Sequence, residues 1–218
     1  MTAKTYLEAL DILALEYPKW NAPIVTLIAT QSRDPFLVLI STILSLRTKD
    51  ETTAKASERL FSLAKTPFEM VKLSEETIAQ TIYPVGFYRD KAKRILEICA
   101  RLIAEFDARV PSDIDTLISF NGVGRKTANL VLSLGFNLPA VCVDTHVHRI
   151  SNILGFARTK TPEETEQTIR KKIPIDRWSG INDLLVAFGQ TICKSVSPIC
   201  SRCPIARLCE RRGVTRSR

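Results

Sequence analysis

Residues Asn121-Gly122-Val123-Gly124-Arg125-Lys126-Thr127 place a glycine-rich turn directly before a lysine at the start of an apolar segment. Glycine reaches positive φ at little cost and lets the backbone approach a partner closely. The N–H groups of such a turn, and of the first residues of a following helix, lack intrahelical acceptors. With the helix dipole behind them they suit a phosphate oxygen, in a contact that positions without reading sequence. A lysine amine at that place can attack an electrophilic carbon and form a Schiff base. Asp144, in Val143-Asp144-Thr145-His146, supplies a carboxylate able to stabilise a developing cation. It also stands where an aspartate can N-cap a helix, and the two roles are compatible. Phosphate grip, amine and carboxylate together point to chemistry on a nucleic acid.

Each feature has a plainer reading beside it. A Gly-x-Gly by itself more often marks a tight turn with no ligand. Most lysines are solvated or bind phosphate, and Asp144 can be a cap and nothing more. Two other glycine motifs do not apply. A dinucleotide-binding loop follows a strand, whereas Asp115 to Phe120 reads as helix. A nucleotide-binding P-loop requires Gly-Lys-Ser/Thr, and here Arg125 separates Gly124 from Lys126.

A second constellation lies near the C-terminus. Cys193, Cys200, Cys203 and Cys209 are spaced C-x6-C-x2-C-x5-C. Four thiolates so close suggest a metal centre, since disulfides are rare inside cells. Cys200-x2-Cys203 would suit zinc, and spacing alone leaves that alternative open. The pattern also differs from the ferredoxin spacings. Cys99 and Cys142 stand alone and are expected to pack as small hydrophobes.

The charge balance agrees with a polyanionic partner. Net charge is +8 and the pI is about 9.3, an excess that favours nucleic acid. From Cys193 onward Lys194, Arg202, Arg207, Arg211, Arg212, Arg216 and Arg218 face Glu210 alone. The first residues lack a basic-then-apolar pattern, with Glu8, Asp11 and Glu16 arriving early. The most apolar stretch, Phe36 to Leu46, is too short to cross a bilayer. A soluble protein in the cytoplasm or on the nucleoid, with no membrane partner, is the expectation.

The elements that must position these groups read as helices. Leu7, Leu10, Leu13 and Tyr17 form a stripe ended by Pro18. Further helical segments run over Phe36 to Leu46, Thr53 to Leu63, Ser74 to Tyr83 and Lys91 to Phe106. Ser112-Asp113-Ile114-Asp115 opens a short helix to about Phe120; after the turn another runs from Arg125 to about Leu134. Thr161-Pro162-Glu163-Glu164 starts a helix with a cap, a first-position proline and acids behind it. Asp183 to Thr191 is one more, and Val141-Cys142-Val143 is a short β-rich stretch leading into the helix after Asp144. The fold class expected is all-α, and the two short helices joined by Asn-Gly-Val-Gly form a helix-hairpin-helix candidate.

Together, Gly122-Val123-Gly124-Arg125-Lys126-Thr127-Ala128-Asn129, Val143-Asp144-Thr145-His146 and the cysteine spacing resemble the endonuclease III branch of the helix-hairpin-helix DNA glycosylases. Ile43-Leu44-Ser45 and Val85-Gly86-Phe87-Tyr88 with Lys91-Ala92 fit it too, so the resemblance covers nearly the whole chain. It implies two helical domains with a DNA cleft between them. These would be a six-helix domain over 28–138 and an iron–sulfur domain from 1–27 and 139–218. The four C-terminal cysteines would hold a structural 4Fe-4S cluster, which lowers the standing of zinc. Lys126 would attack C1′ of the damaged nucleotide, and Asp144 would assist departure of the base. Gly122, Val123, Gly124 and Arg125 would hold the backbone, with Lys194 and Arg202 as phosphate contacts and His146 as a further DNA contact. His148 is expected on another face of its helix.

The expected activity is that of a bifunctional DNA glycosylase and abasic-site lyase, a monomer acting on double-stranded DNA with oxidised or ring-saturated pyrimidines or abasic sites. Two positions depart from the family. Arg47 stands where many members carry a glutamine, and Phe87 where an aliphatic wedge is frequent. Arg47 could bond the orphaned base and Phe87 could stack in the gap; a phosphate contact and a core aromatic are the plainer alternatives. A mismatch-type glycosylase and a non-catalytic iron–sulfur DNA-binding module are the rival functions. Adenine glycosylases of the superfamily lack the lysine and carry a glutamate in the early helix, and Phe36 to Leu46 has none.

Overall fold

The computed structural model describes residues 1–218. Its elements are helical throughout. In order they are α1 (Ala3–Glu16), α2 (Ile24–Ser32), α3 (Pro35–Ser45), α4 (Asp50–Leu63), α5 (Pro67–Met70), α6 (Glu75–Ile82), α7 (Tyr88–Glu105), α8 (Ile114–Ile118), α9 (Arg125–Leu130), α10 (Thr145–Ile153), α11 (Pro162–Lys172) and α12 (Ile181–Thr191). The all-α expectation holds. The chain divides into two compact units, one of Met1–Pro23 with Pro139–Arg218, the other of Ile24–Leu138.

The unit of residues 24–138 is organised around α3. Asp34 caps it by accepting from the Phe36 amide at 2.8 Å, and Pro35 sits at its first position. Every residue from Phe36 to Leu44 is buried. Two of these are polar, and each hydroxyl is satisfied within the helix. Ser41 Oγ donates to Leu37 O and Thr42 Oγ1 to Val38 O, both at 2.7 Å. That is why hydroxyls interrupt the apolar run without exposing it. Helices α2, α4, α7 and α9 pack against α3. α7 begins at Tyr88, three residues before the sequence pattern suggested, because Phe87 supplies a left-handed cap ahead of the apolar stripe.

The other unit joins α1 to the C-terminal half of the chain. Tyr6 stacks on Phe156 with ring centroids 3.9 Å apart, and its hydroxyl lies 3.0 Å from Ser151 Oγ. Leu10, Leu13, Val147, Ile150, Ile169, Leu185 and Phe188 complete this core. The stretch Val141-Cys142-Val143 is buried but forms no strand of a sheet. Its β-branched residues are explained by burial alone. No helix is long and apolar enough to cross a membrane.

Candidate active site

The glycine turn and its lysine lie in the unit of residues 24–138. α8 is capped by Asp113, which accepts from the Thr116 amide at 2.8 Å. The chain then reverses through 119–124, and the Val123 amide donates to Phe120 O at 3.0 Å. Val123 is buried and pins the turn to the core. The two glycines have different reasons to be glycine. Gly122 sits at φ 81°, where a side chain is strained, and a Cβ there would come 2.8 Å from Arg94 Cδ. Gly124 sits at φ −87°, which any residue adopts, and a Cβ on it would meet nothing within 4 Å. Nothing inside the protein requires glycine at 124, so the bare backbone there is free to be approached from outside.

Gly124 is the N-cap of α9 and brings no side-chain acceptor to the first turn of that helix. Lys126 is the second residue of α9 and is half-buried. Behind it Thr127, Ala128, Asn129 and Leu130 are all buried, so the base of the lysine stands on a packed helix. The helix continues as a π-turn over Val131–Gly135, ending where Gly135 packs on Pro35.

Asp144 lies in the other unit, at the N-terminus of α10. Its Oδ1 accepts from the amides of His146 and Val147, both at 2.9 Å. These bonds fix the carboxylate and leave Oδ2 outside the capping pair. The His146 ring is half-buried against α12, where a Cβ on Gly189 would come 2.4 Å from Nδ1. His148 turns to a different face and meets Thr165 Oγ1 at 2.7 Å, as its spacing suggested.

All four cysteines of the C-terminal quartet line one small pocket, walled by Ile153, Leu154, Phe188, Ile192 and Ala206. No carboxylate or histidine enters that lining, so the donor set is entirely sulfur. The sulfurs are not drawn together as ligands of one ion; the shared pocket is the observation that bears on a larger, many-atom group. Cys193 Sγ receives a hydrogen bond from Arg149 Nη1 at 3.8 Å, and Cys209 Sγ one from the Arg211 amide at 3.3 Å. Burial pushes the Cys203 thiol up to about 11, and the neighbouring thiols add to the shift while the Ile205 amide opposes it. Cys193 and Cys209 also rise, chiefly through burial. Thiols raised in this way must lose their protons to act as ligands, which are thiolates. Cys99 and Cys142 are buried, with burial raising Cys99 to about 12. Lys194 and Arg202 are exposed beside the pocket loop.

Arg47 and Phe87 come together. The Arg47 guanidinium carbon lies 5.5 Å from the centroid of the Phe87 ring. Both residues are left-handed, at φ 53° and 58°, a conformation that costs a non-glycine residue on the order of 1 kcal/mol or more. Phe87 is 58% exposed, so the core-aromatic alternative fails. The surface at this corner is thus formed by two stacked residues, both in left-handed backbone.

Comparison with known proteins places the chain. The profile of the HhH-GPD superfamily of base excision DNA repair proteins matches residues 40–175. Endonuclease III of Thermotoga maritima is 51% identical over 183 residues, spanning 83% of this chain and 86% of that one. The chain belongs to the endonuclease III branch of the HhH-GPD superfamily. Endonuclease III of Bacillus subtilis is 38% identical over 81% of each chain. Solved structures of a trapped endonuclease III–DNA covalent intermediate and of a non-covalent endonuclease III–DNA complex superpose with a TM-score of 0.87 at 38% identity, each over 97% of this chain. The two structures are themselves covered to 97% and 96%. A thermostable thymine-DNA glycosylase reaches a TM-score of 0.84 at 22% identity, which shows a shared fold. The chain is a base-excision DNA glycosylase with abasic-site lyase activity, as its family is.

Within this endonuclease III-type fold, one group was not legible as functional from the sequence. Lys91 is buried to 3% exposure. Its Nζ donates to Leu44 O at 2.9 Å, Leu46 O at 2.6 Å and Thr48 Oγ1 at 3.3 Å. Burial, and then the neighbouring charge of Arg94, bring its amine down to about 8. Thr48 Oγ1 also accepts from the Gly86 amide at 3.1 Å. Gly86 has no room for a side chain, since a Cβ would come 2.7 Å from Arg47 O. The Lys91-Ala92 pair is visible in the sequence, but the partners of the lysine, two carbonyls and a hydroxyl, lie more than forty residues away.

Proposed function

We propose that the enzyme removes oxidised or ring-saturated pyrimidines from double-stranded DNA and then nicks the strand, with Lys126 as nucleophile. The observation that carries this reading is the placement of Lys126 at the start of α9, one residue beyond the open backbone of Gly124. A phosphate oxygen held by the turn would fix the sugar of the target nucleotide, and Gly122, Val123, Gly124 and Arg125 would frame it. The damaged base leaves the stack first, at a cost of a few kcal/mol that is lowest for bases that stack poorly.

The neutral amine of Lys126 gives its electron pair to C1′, and the glycosidic C–N bond breaks with its electrons going to the base, which takes up a proton. The Asp144 carboxylate stabilises the cationic character of the sugar while that bond opens. Its capping bonds to two amides hold it oriented for the purpose. The adduct nitrogen sheds a proton, and its electron pair closes a double bond to C1′ as the C1′–O4′ bond breaks and O4′ takes up a proton; the sugar ring opens to a Schiff base. Loss of a proton from C2′ then expels the 3′ phosphate oxygen by β-elimination, and water releases the sugar from Lys126.

The same reading assigns a 4Fe-4S cluster to Cys193, Cys200, Cys203 and Cys209, whose all-sulfur, apolar-walled pocket fits it. Bound there it would supply structure, holding the loop that carries Lys194 and Arg202 toward phosphates. His146 would add a DNA contact near Asp144. Arg47 and Phe87 would occupy the gap left by the extruded base. The enzyme would act as a monomer.

A panel of duplexes tests the lesion class. Ring-saturated and oxidised pyrimidines are the expected substrates, released together with strand nicking. Preferential release of a mismatched thymine would move the reading to the mismatch branch. Anaerobically purified protein should be brown and contain iron and acid-labile sulfide; a colourless zinc-loaded protein would overturn the cluster.

A further inference from the structure

The stacked pair at the surface has a buried support that the chemistry above does not use. The Lys91 ammonium has three N–H donors, and the structure gives each an acceptor in Leu44 O, Leu46 O and Thr48 Oγ1. Leu44 O and Leu46 O lie at the C-terminal end of α3, where carbonyls have no helical partner and the dipole favours a cation. Immediately beyond them the chain turns through Arg47. On the other side Lys91 sits in the first turn of α7, and its amide donates to Phe87 O at 3.0 Å. The Thr48 hydroxyl completes the tie, taking the Gly86 amide and donating to Leu46 O at 3.2 Å. One side chain therefore spans the loop that bears Arg47 and the helix start that bears Phe87.

We infer that Lys91 is a positioning residue for base-gap recognition, holding Arg47 and Phe87 in their strained conformations as one preassembled unit. This rests on the proposed entry of that pair into the gap. Without the clamp, each residue relaxes out of its left-handed conformation, and the guanidinium and the ring no longer arrive together. Lys91 touches neither DNA nor the reacting atoms; it acts through the other two. Arg94, on the same helix, is the charged neighbour it faces.

The test uses a duplex with a tetrahydrofuran abasic analogue opposite 2-aminopurine, whose fluorescence is quenched by stacking. At saturating full-length protein, wild type should be dimmer than Phe87→Ala, because the ring stacks on the probe. Lys91→Met keeps the bulk of the stem and removes the donors. It should be as bright as Phe87→Ala, and the double variant no brighter than either. Trapping of Lys91→Met on true abasic DNA by borohydride checks that its active site is intact. Thr48→Val keeps the lysine, removes the tie to Gly86, and should show the same brightening in milder form, which covers the case of Lys91→Met failing to fold. Wild-type quenching in Lys91→Met, or in Thr48→Val should Lys91→Met not fold, overturns the positioning role. Wild type as bright as Phe87→Ala instead overturns gap entry itself, so the two failures are distinct.

Discussion

Asp144 is both a helix cap and the proposed electrostatic partner of base release, and two substitutions separate these roles. Its Oδ1 accepts from the amides of His146 and Val147 at 2.9 Å. Asparagine presents the same Oδ1 in the same place and caps about as well as aspartate. Asp144→Asn should therefore leave stability within ~0.5 kcal/mol of wild type. Asp144→Ala removes both bonds and should cost about 0.5–2 kcal/mol. For a chain of this size that is a fall in Tm of roughly 1–8 °C. Base release should not follow stability. The charge is lost in both variants, and both should fall by about 10²–10³ in single-turnover excision of a ring-saturated pyrimidine, as when a preorganised electrostatic group is removed. Thermal melting and single-turnover excision, read on the same preparations, decide it. Wild-type excision by Asp144→Asn would reduce the residue to a cap. A melting point for Asp144→Asn as low as that of Asp144→Ala would refute the capping argument instead.

The two glycines of the turn should part company. Gly122→Ala forces a side chain to φ 81° and should cost about 1–2 kcal/mol by chemical denaturation. Gly124→Ala should leave stability unchanged or slightly raised, yet weaken binding to abasic duplex, since only an approaching backbone or phosphate would meet its Cβ. Unchanged binding would remove the phosphate grip from Gly124. Lys91 holds its proton less readily in the folded chain, at about 8, than at its ordinary 10.5. The unfolded state then binds more protons between those values, so the stability linked to Lys91 rises with pH across that window and is lost as pH falls through about 8. Wild type should gain on Lys91→Met between pH 8 and 10.5 in denaturation curves; a pH-independent difference contradicts burial as the cause. Lys194→Ala should lower affinity for all sequences alike and flatten the log–log salt slope by about 1. An unchanged slope would detach Lys194 from phosphate.

Much of the fold could be read from local chemistry. Thr161 caps α11 by accepting from the Glu164 amide at 3.2 Å, and Ser74 and Asp113 cap α6 and α8 in the same way. Those signals need only three residues of sequence. α2 has no such signal at its start, and nothing local in its sequence sets it apart from a loop. The β-branched Val141 and Val143 fill a core without forming a strand, a tertiary role that a strand-like composition imitates. In the site, Lys126 and Asp144 stand out because their environment is written in adjacent residues. The Arg47–Phe87 stack and the Lys91 clamp do not, because they depend on bonds between residues 38 to 47 positions apart. The left-handed conformations of Arg47 and Phe87 carry no glycine or asparagine to announce them.

The central claim is that the Lys126 amine becomes covalently joined to C1′. Borohydride reduction during reaction with an abasic-site duplex measures this directly, because it converts the Schiff base to a stable protein–DNA adduct. Wild type should trap in high yield, Lys126→Ala should not trap, and digestion of the wild-type adduct should place the sugar remnant on Lys126. Trapping that survives Lys126→Ala, or a remnant on another residue, would contradict the account.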